Sequence, residues 1–221
     1  MASRLPNERG VLVTDFDGTL TSVDFFELVR KRWPLDPDPW EACRAGQLPH
    51  IVAIAQVFAA ARGPESGLLE LIDHLGIDPA AAAAFRDLQA AGWRVVVASA
   101  GCDWYIRKVL ERLGVEADVY ANPGRYDEAR GLLMEPPHGS PFQHPRFGLD
   151  KSAVVRHYAA AGLPVAFAGD GTPDLAPALL VPPHLRYARA WLADTLAARG
   201  EGFRSFTRWP DIARQLLAAN A

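Results

Sequence analysis

The stretch Val11-Leu12-Val13-Thr14-Asp15-Phe16-Asp17-Gly18-Thr19 decides how this chain is read. A short run without period-two alternation leads into two aspartates, one residue apart, and a glycine. Such a run fits a strand covered on both faces of a parallel sheet. Two further runs have the same form. Val95-Val96-Val97-Ala98 leads into Ser99-Ala100-Gly101, and Val165-Ala166-Phe167-Ala168 leads into Gly169-Asp170-Gly171-Thr172-Pro173-Asp174. Open parallel sheets bind ligands at the carboxyl ends of their strands. Two aspartates, a serine and two more aspartates are therefore expected at one edge, which predicts a metal and phosphate site.

Around these runs the pattern alternates between helix and strand. Asp24-Phe25-Phe26-Glu27-Leu28-Val29 begins a helix, with Asp24 and Glu27 spaced as a capping box, and Pro34, Pro37 and Pro39 break it. Residues 40–45, 49–61 and 65–75 read as further helices, and nothing from 22 to 77 reads as a strand. A helix over 79–91, ended by Gly92, precedes the Val95 strand, and a helix over 103–113, ended by Gly114, follows it. Residues 118–121 read as a strand, and 122–149 as loop with a hairpin near Leu132-Leu133-Met134. A helix over 151–161 leads to the Val165 strand; 185–188 and 202–206 read as closing strands, and 191–198 and 209–219 as helices. This alternation predicts an α/β fold, a three-layer Rossmann-like core around a parallel sheet. Residues 1–21 and 78–221 would form the core and 22–77 a small helical domain inserted after the first strand.

The bulk composition narrows the classes. The 221 residues suffice for one α/β domain and a small accessory one. A net charge of -3 makes no electrostatic case for nucleic acid or an anionic membrane. The longest apolar stretch, Ile51 to Ala61, is interrupted by Gln56 and is too short to span a bilayer. The segment Met1 to Gly10 is polar and lacks the apolar centre of a signal peptide. Cys43 and Cys102 show no metal spacing and are expected to be reduced. The expectation is a cytoplasmic protein with no nucleic-acid or membrane partner. Monomer and homodimer both stay open, since an apolar face of the helical insertion could pair two subunits. Only Lys31, Lys108 and Lys151 are lysine, so a lysine at a motif-like position stands out.

The residues permit a definite chemistry. Asp15 and Asp17 can converge where the chain leaves its strand, and Gly18 gives the backbone that freedom. One carboxylate can attack phosphorus and form an aspartyl-phosphate, while the other protonates the leaving oxygen and then activates water. Asp15, Asp170, Asp174 and a phosphate dianion together carry about five negative charges. At 4 Å and an effective dielectric of ~20, each like-charged pair costs about 4 kcal/mol. The site needs cations, and hard oxygen ligands beside a phosphate favour Mg²⁺. Lys151, which opens the helix before the third strand, can reach the same edge. Ser99 and the amides of the turn at Ala100 can hydrogen-bond the remaining phosphate oxygens.

Asp15-Phe-Asp-Gly-Thr-Leu-Thr21, Ser99, Lys151 and Gly169-Asp170-x-x-x-Asp174 resemble, in order and in kind, the four motifs of the haloacid dehalogenase (HAD) superfamily of phosphatases. The resemblance covers most of the chain. It implies Asp15 as nucleophile, Asp17 as general acid/base, and Ser99 and Lys151 as phosphate ligands. It also implies Mg²⁺ held by Asp15, by the backbone carbonyl of Asp17, and by Asp170 and Asp174, with Asp174 direct or one shell out. The helical insertion resembles the family's cap. Members that act as dehalogenases lack the second aspartate and transport ATPases carry threonine there, so Asp17 favours hydrolysis of a small-molecule phosphate ester. Within the superfamily the chain resembles the phosphoserine-phosphatase branch. It is most similar there to the methionine-salvage phosphatase of hydroxy-keto-methylthiopentenyl phosphate, through Ser99-Ala-Gly-Cys-Asp103-Trp-Tyr-Ile and the tail from Tyr187-Ala-Arg189 through Phe206 to Trp209-Pro-Asp211-Ile. Phosphoserine phosphatases use an acidic residue early in the cap and an arginine in a later cap helix. Asp24 fits the acid, but Ala55 or a neighbour stands at the arginine position, which argues against a carboxylate-bearing substrate.

Several residues keep two readings. Asp24 is either a substrate contact or half of a capping box. Asp103 is an N-cap or a substrate contact, and Asp174 a site residue or the cap of a short helix. Phe25, Phe26, Trp33, Trp40 and Phe58 are cap core or the wall of an apolar pocket. His138 and His144 lack a thiolate partner and read as surface histidines. Phosphoserine, phosphocholine or phosphoethanolamine hydrolysis, phosphoryl transfer to an alcohol, and a non-catalytic binding module are the alternative functions.

Overall fold

The computed structural model describes residues 8–218, so most of the polar N-terminal stretch and the helix end at Ala219 lie outside the described residues. The chain runs β1 (Gly10–Thr14), four helices α1 (Phe25–Arg32), α2 (Pro39–Arg44), α3 (His50–Ala59) and α4 (Ser66–Ile72), then α5 (Ala81–Ala90), β2 (Trp93–Cys102) and α6 (Asp103–Leu113). It continues through β3 (Asp118–Asn122), β4 (Gly124–Asp127), β5 (Gly131–Met134), β6 (Gln143–His144), β7 (Gly148–Leu149), α7 (Lys151–Ala159) and β8 (Val165–Gly169). It closes with α8 (Leu175–Ala178), β9 (Arg186–Ala188), α9 (Ala190–Ala198), β10 (Arg204–Ser205) and α10 (Trp209–Ala218).

Six strands form one sheet in the order β10-β9-β8-β1-β2-β3. Every pairing in it is parallel. The apolar runs behave as doubly covered strands must. Leu12, Val95, Val97 and Ala166 face a core layer shared with α5, α6 and α10, while Val11, Val13, Val96 and Phe167 face the layer of α7 and α9. That is the three-layer α/β core. The expected hairpin exists as β4 paired antiparallel with β5. No described helix is long and apolar enough to cross a membrane.

Two local readings are corrected. The second strand does not stop at Ala98 but continues to Cys102, with its register to β3 shifting between Ala98 and Cys102. This irregularity takes Ser99 and its neighbours out of the ladder, as a bulge beside a site does. The capping box at Asp24 does not form, because the Asp24 side chain makes no capping hydrogen bond. A different amide, the first of the helix, is satisfied from a distance: Phe25 N donates to Asp17 Oδ1 at 2.9 Å. Helices alone occupy 25–72, and α1 packs against α3 and α4. An aromatic cluster joins them to the sheet layer, with Tyr105 stacked on Phe25 at 4.2 Å and edge-on to Phe16 and Phe58.

Candidate active site

From β1 the sheet grows towards β2 on one side and β8 on the other, so a crevice opens between the carboxyl ends of β1 and β8. Asp15 stands at the first end, its amide donating to Ala168 O at 2.9 Å, and Asp170 at the second. Lys151 is the first residue of α7, behind the N-cap Asp150. Its ammonium lies 2.6 Å from Asp15 Oδ1 and 2.6 Å from Asp174 Oδ1. Carboxylate oxygens of Asp15, Asp170 and Asp174 lie within 4.8 Å of one another. Ser99 is buried beside them, its Oγ accepting from the Gly101 amide at 2.9 Å. Asp15, Asp17, Asp24, Ser99, Ala100, Lys151, Asp170 and Asp174 all line one cavity of about 120 Å³. A broader groove of about 1420 Å³ lies at the opposite end of the sheet, near Gly92 and Asp118, away from these groups.

The electrostatics follow from crowding. Burial and the charge of Asp174 raise the Asp15 pKa well above the usual carboxylate range, against the pull of Lys151. Burial, then Asp174, also raises Asp170. Burial opposes the Lys151 ammonium, yet Asp15 and Asp174 override it and its pKa is raised. Three acids around one lysine are short of positive charge, and the donor set is all hard oxygen. These residues therefore fit a Mg²⁺ ion.

Asp17 is set apart from this cluster. Its Oδ1 accepts from Phe25 N and its Oδ2 from the Tyr105 hydroxyl. Burial pushes it up to about 6, moderated by those two hydrogen bonds. Asp24 opens onto the cavity, and the protein crowded about it, with the charges of Asp17 and Asp170, pushes it up to about 8. Asp174 does not cap α8. Its Oδ2 turns back to the amides of Asp170 and Gly171 at 3.1 and 2.9 Å, so it braces the turn and Lys151 together. Asp103 is drawn away from the cavity, because it accepts from Gly124 N at 2.8 Å and pairs with Arg107. Phe26, Trp40 and Phe58 reach the cavity wall, whereas Phe25 and Trp33 do not.

Several supporting residues escaped the sequence reading. Thr19 Oγ1 donates to Asp170 Oδ1 at 2.8 Å. Arg189 Nε donates to Gly18 O at 2.5 Å and its Nη2 to Thr21 O at 2.8 Å, holding the loop after Asp17. Trp209 Nε1 donates to Thr14 Oγ1 at 3.0 Å, which in turn donates to Asp15 O at 2.9 Å. Gly18, whose freedom to turn the sequence did show, has φ +75, and a side chain there would run into the Asp170 carboxylate. His50 joins the cavity wall between Trp40 and Phe147; its Nδ1 is buried without a partner among the described residues, and burial, then Lys151, lowers it to about 4.

Comparison with known proteins bears on the family and the fold. A phosphoserine phosphatase of Idiomarina loihiensis is 27% identical over 119 residues, covering 52% of this chain and 54% of its own length. The chain thus matches about half of that relative. A probable phosphoserine phosphatase of Vibrio cholerae superposes with a TM-score of 0.70 at 18% identity, over 97% of this chain and 67% of its own. A phosphoserine phosphatase carrying a phospho-aspartyl intermediate analogue does so at 0.66 and 16% identity, over 96% and 99%. At such identities the likeness shows the fold. The haloacid dehalogenase-like hydrolase family profile matches residues 12–179, which span the first aspartate pair, Ser99, Lys151 and Asp170 to Asp174. A match over most of the chain, with its motif residues gathered at one crevice, makes this protein a member of the haloacid dehalogenase-like hydrolase family.

Proposed function

We propose that this chain is a Mg²⁺-dependent phosphatase that hydrolyses a small-molecule phosphomonoester through an aspartyl-phosphate. The observation that carries the reading is the clasp of Asp15 and Asp174 on Lys151, with Asp170 alongside, at the carboxyl ends of β1 and β8. Asp15 and Asp170, with Asp174 behind them and the Asp17 carbonyl, would hold the ion. When bound, the ion supplies positive charge to the acidic cluster and the substrate phosphate. Asp15 attacks phosphorus as the ester bond breaks, and Asp17 gives its proton to the leaving oxygen. In the second step Asp17 takes a proton from water, the water attacks the aspartyl-phosphate, and orthophosphate leaves with Asp15 regenerated. Ser99, the Ala100 amide and Lys151 grip the transferring oxygens.

Residues 22–77 act as the cap over the sheet core, and the leaving group meets the cap. Phe26, Trp40, Ile54 and Phe58 line that half of the cavity, with Asp24, Glu27 and His50 as polar groups. Lys151 is the one cation among the described residues lining the cavity, and it is engaged by Asp15 and Asp174. The wall favours an ester with an apolar chain and no carboxylate, as in the methionine-salvage hydroxy-keto-methylthiopentenyl phosphate. Phosphoserine is the second reading, favoured by the Idiomarina relative. Asp24 beside aromatic rings also suits the amine of phosphoethanolamine or phosphocholine.

The test is p-nitrophenyl phosphate turnover with Mg²⁺, comparing the native chain with Asp15→Asn, followed by a panel of these esters. Equal rates for the two proteins would reject the nucleophile. An added alcohol that becomes phosphorylated would turn the hydrolase into a transferase.

A further inference from the structure

We infer that Tyr105 is a positioning residue for Asp17, holding its carboxyl group at the angle from which the proton reaches the leaving oxygen. The inference rests on the phosphatase reading above. Tyr105 lies in α6, 1% exposed, and its hydroxyl donates to Asp17 Oδ2. The Phe25 amide donates to Oδ1 of the same carboxylate at 2.9 Å. No ion pair holds Asp17 among the described residues, since Lys151 is engaged by Asp15 and Asp174. The two donors grip opposite oxygens and so fix rotation about the Cβ–Cγ bond. Each carboxyl oxygen has two lone pairs, and each donor uses one. The carboxyl group can therefore carry a proton to the substrate side while still held.

The surroundings are shaped for this contact. The Tyr105 ring is stacked on Phe25 at 4.2 Å and set edge-on to Phe16 and Phe58, so it cannot swing away. A side chain at Gly101 would collide with the Tyr105 hydroxyl and crowd Asp17 Oδ2, and glycine leaves that space clear. A phenol carries its proton at neutral pH, so the hydroxyl serves Asp17 as a donor. A phenylalanine would pack in the same place, which makes the hydroxyl the separable part.

The experiment compares native chain, Tyr105→Phe and Asp17→Asn in kcat/KM on alkyl phosphates and on p-nitrophenyl phosphate, with Mg²⁺. An alkoxide leaving group needs the proton, whereas p-nitrophenolate leaves without it. Melting of each variant is measured to show that it is folded. Tyr105→Phe is expected to lose about tenfold or more on alkyl phosphates and to stay within about threefold on p-nitrophenyl phosphate. An equal loss on both, or no loss on either, overturns the inference and leaves Tyr105 as packing. A native chain that cleaves no ester, or an Asp17→Asn variant whose loss does not depend on the leaving group, instead overturns the phosphatase reading and the inference with it.

Discussion

Lys151→Met removes a charge and keeps an unbranched side chain of similar length. The Lys151 side chain is 3% exposed, and its two partner carboxylates, 2.6 Å away on either side, are 9% exposed at Asp15 and 0% at Asp174. Removing one member of a buried ion pair leaves the other charged and unpaired, at ~3–5 kcal/mol. Asp174 retains the amides of Asp170 and Gly171, so the loss falls mainly on Asp15. In a protein of this size each kcal/mol moves the melting temperature by ~2–4 °C, so a fall of about 6–20 °C is expected in a chelator-treated sample. The pH dependence has a definite sign. Asp15 already titrates above its ordinary value in the folded chain, and losing Lys151 raises it further. A raised folded pKa lends stability below the unfolded value of 3.8, and that stability is lost as pH rises through the folded value. The deficit of the variant should therefore widen as pH rises above the ordinary carboxylate range towards alkaline pH, and Mg²⁺ should restore part of it. Differential scanning calorimetry across that range, with EDTA and with Mg²⁺, reads both effects. A variant melting within about 1 °C of the native chain in EDTA near pH 8, or one whose deficit grows as pH falls, would refute the reasoning.

Three further outcomes can be checked on the same samples. Gly18→Ala places a side chain at φ +75 and against Asp170. It should cost ~1–2 kcal/mol from the backbone alone and about a hundredfold in kcat/KM from the displaced carboxylate. His50→Phe removes an imidazole whose folded pKa is lowered to about 4 from 6.5. Its contribution is present above 6.5 and lost as pH falls through about 4, so the variant should be spared about 3 kcal/mol of acid destabilisation in that window, read by urea unfolding. Trp209→Phe keeps the stack on Phe85 at 4.5 Å and loses the bond to Thr14, so ~1 kcal/mol should go, against ~3–5 kcal/mol for Trp209→Ala.

The core was legible because its two signals are local. Val11, Val96 and Phe167 are fully buried on one face of the sheet, and Leu12, Val97 and Ala166 on the other, so the runs needed no alternation. Asp15, Ser99 and Asp170 belong to the ends of those runs, and a parallel sheet sends all such ends to one edge. The supporting contacts were hidden because they join distant residues. Arg189 reaches Gly18 across 171 positions, Thr19 reaches Asp170 across 151, and Tyr105 reaches Asp17 across 88. A trace of two of them was present: Arg189 ends the Tyr187-Ala188-Arg189 run, and Tyr105 and Val109, four apart, both lie on the buried face of α6.

Asp24 shows why the helical half resisted reading. Asp24 and Glu27 have the spacing of a capping box, and spacing alone makes local bonding the natural expectation. The box does not form here. The first helical amide, that of Phe25, which a capping box does not use, goes to Asp17, whose carboxylate stands at the carboxyl end of β1. That single bond ties the first helix of the insertion to the group proposed to move the proton, and it leaves the Asp24 side chain facing the cavity. Outward from it the wall is made of Phe26, Trp40, Ile54 and Phe58, side chains equally suited to a helical core. An apolar residue in a helix carries no mark that distinguishes packing from contact with a leaving group. Only the direction in which the tertiary fold turns each face separates them, and here it turns Phe26, Trp40 and Phe58 to the cavity but not Phe25 or Trp33.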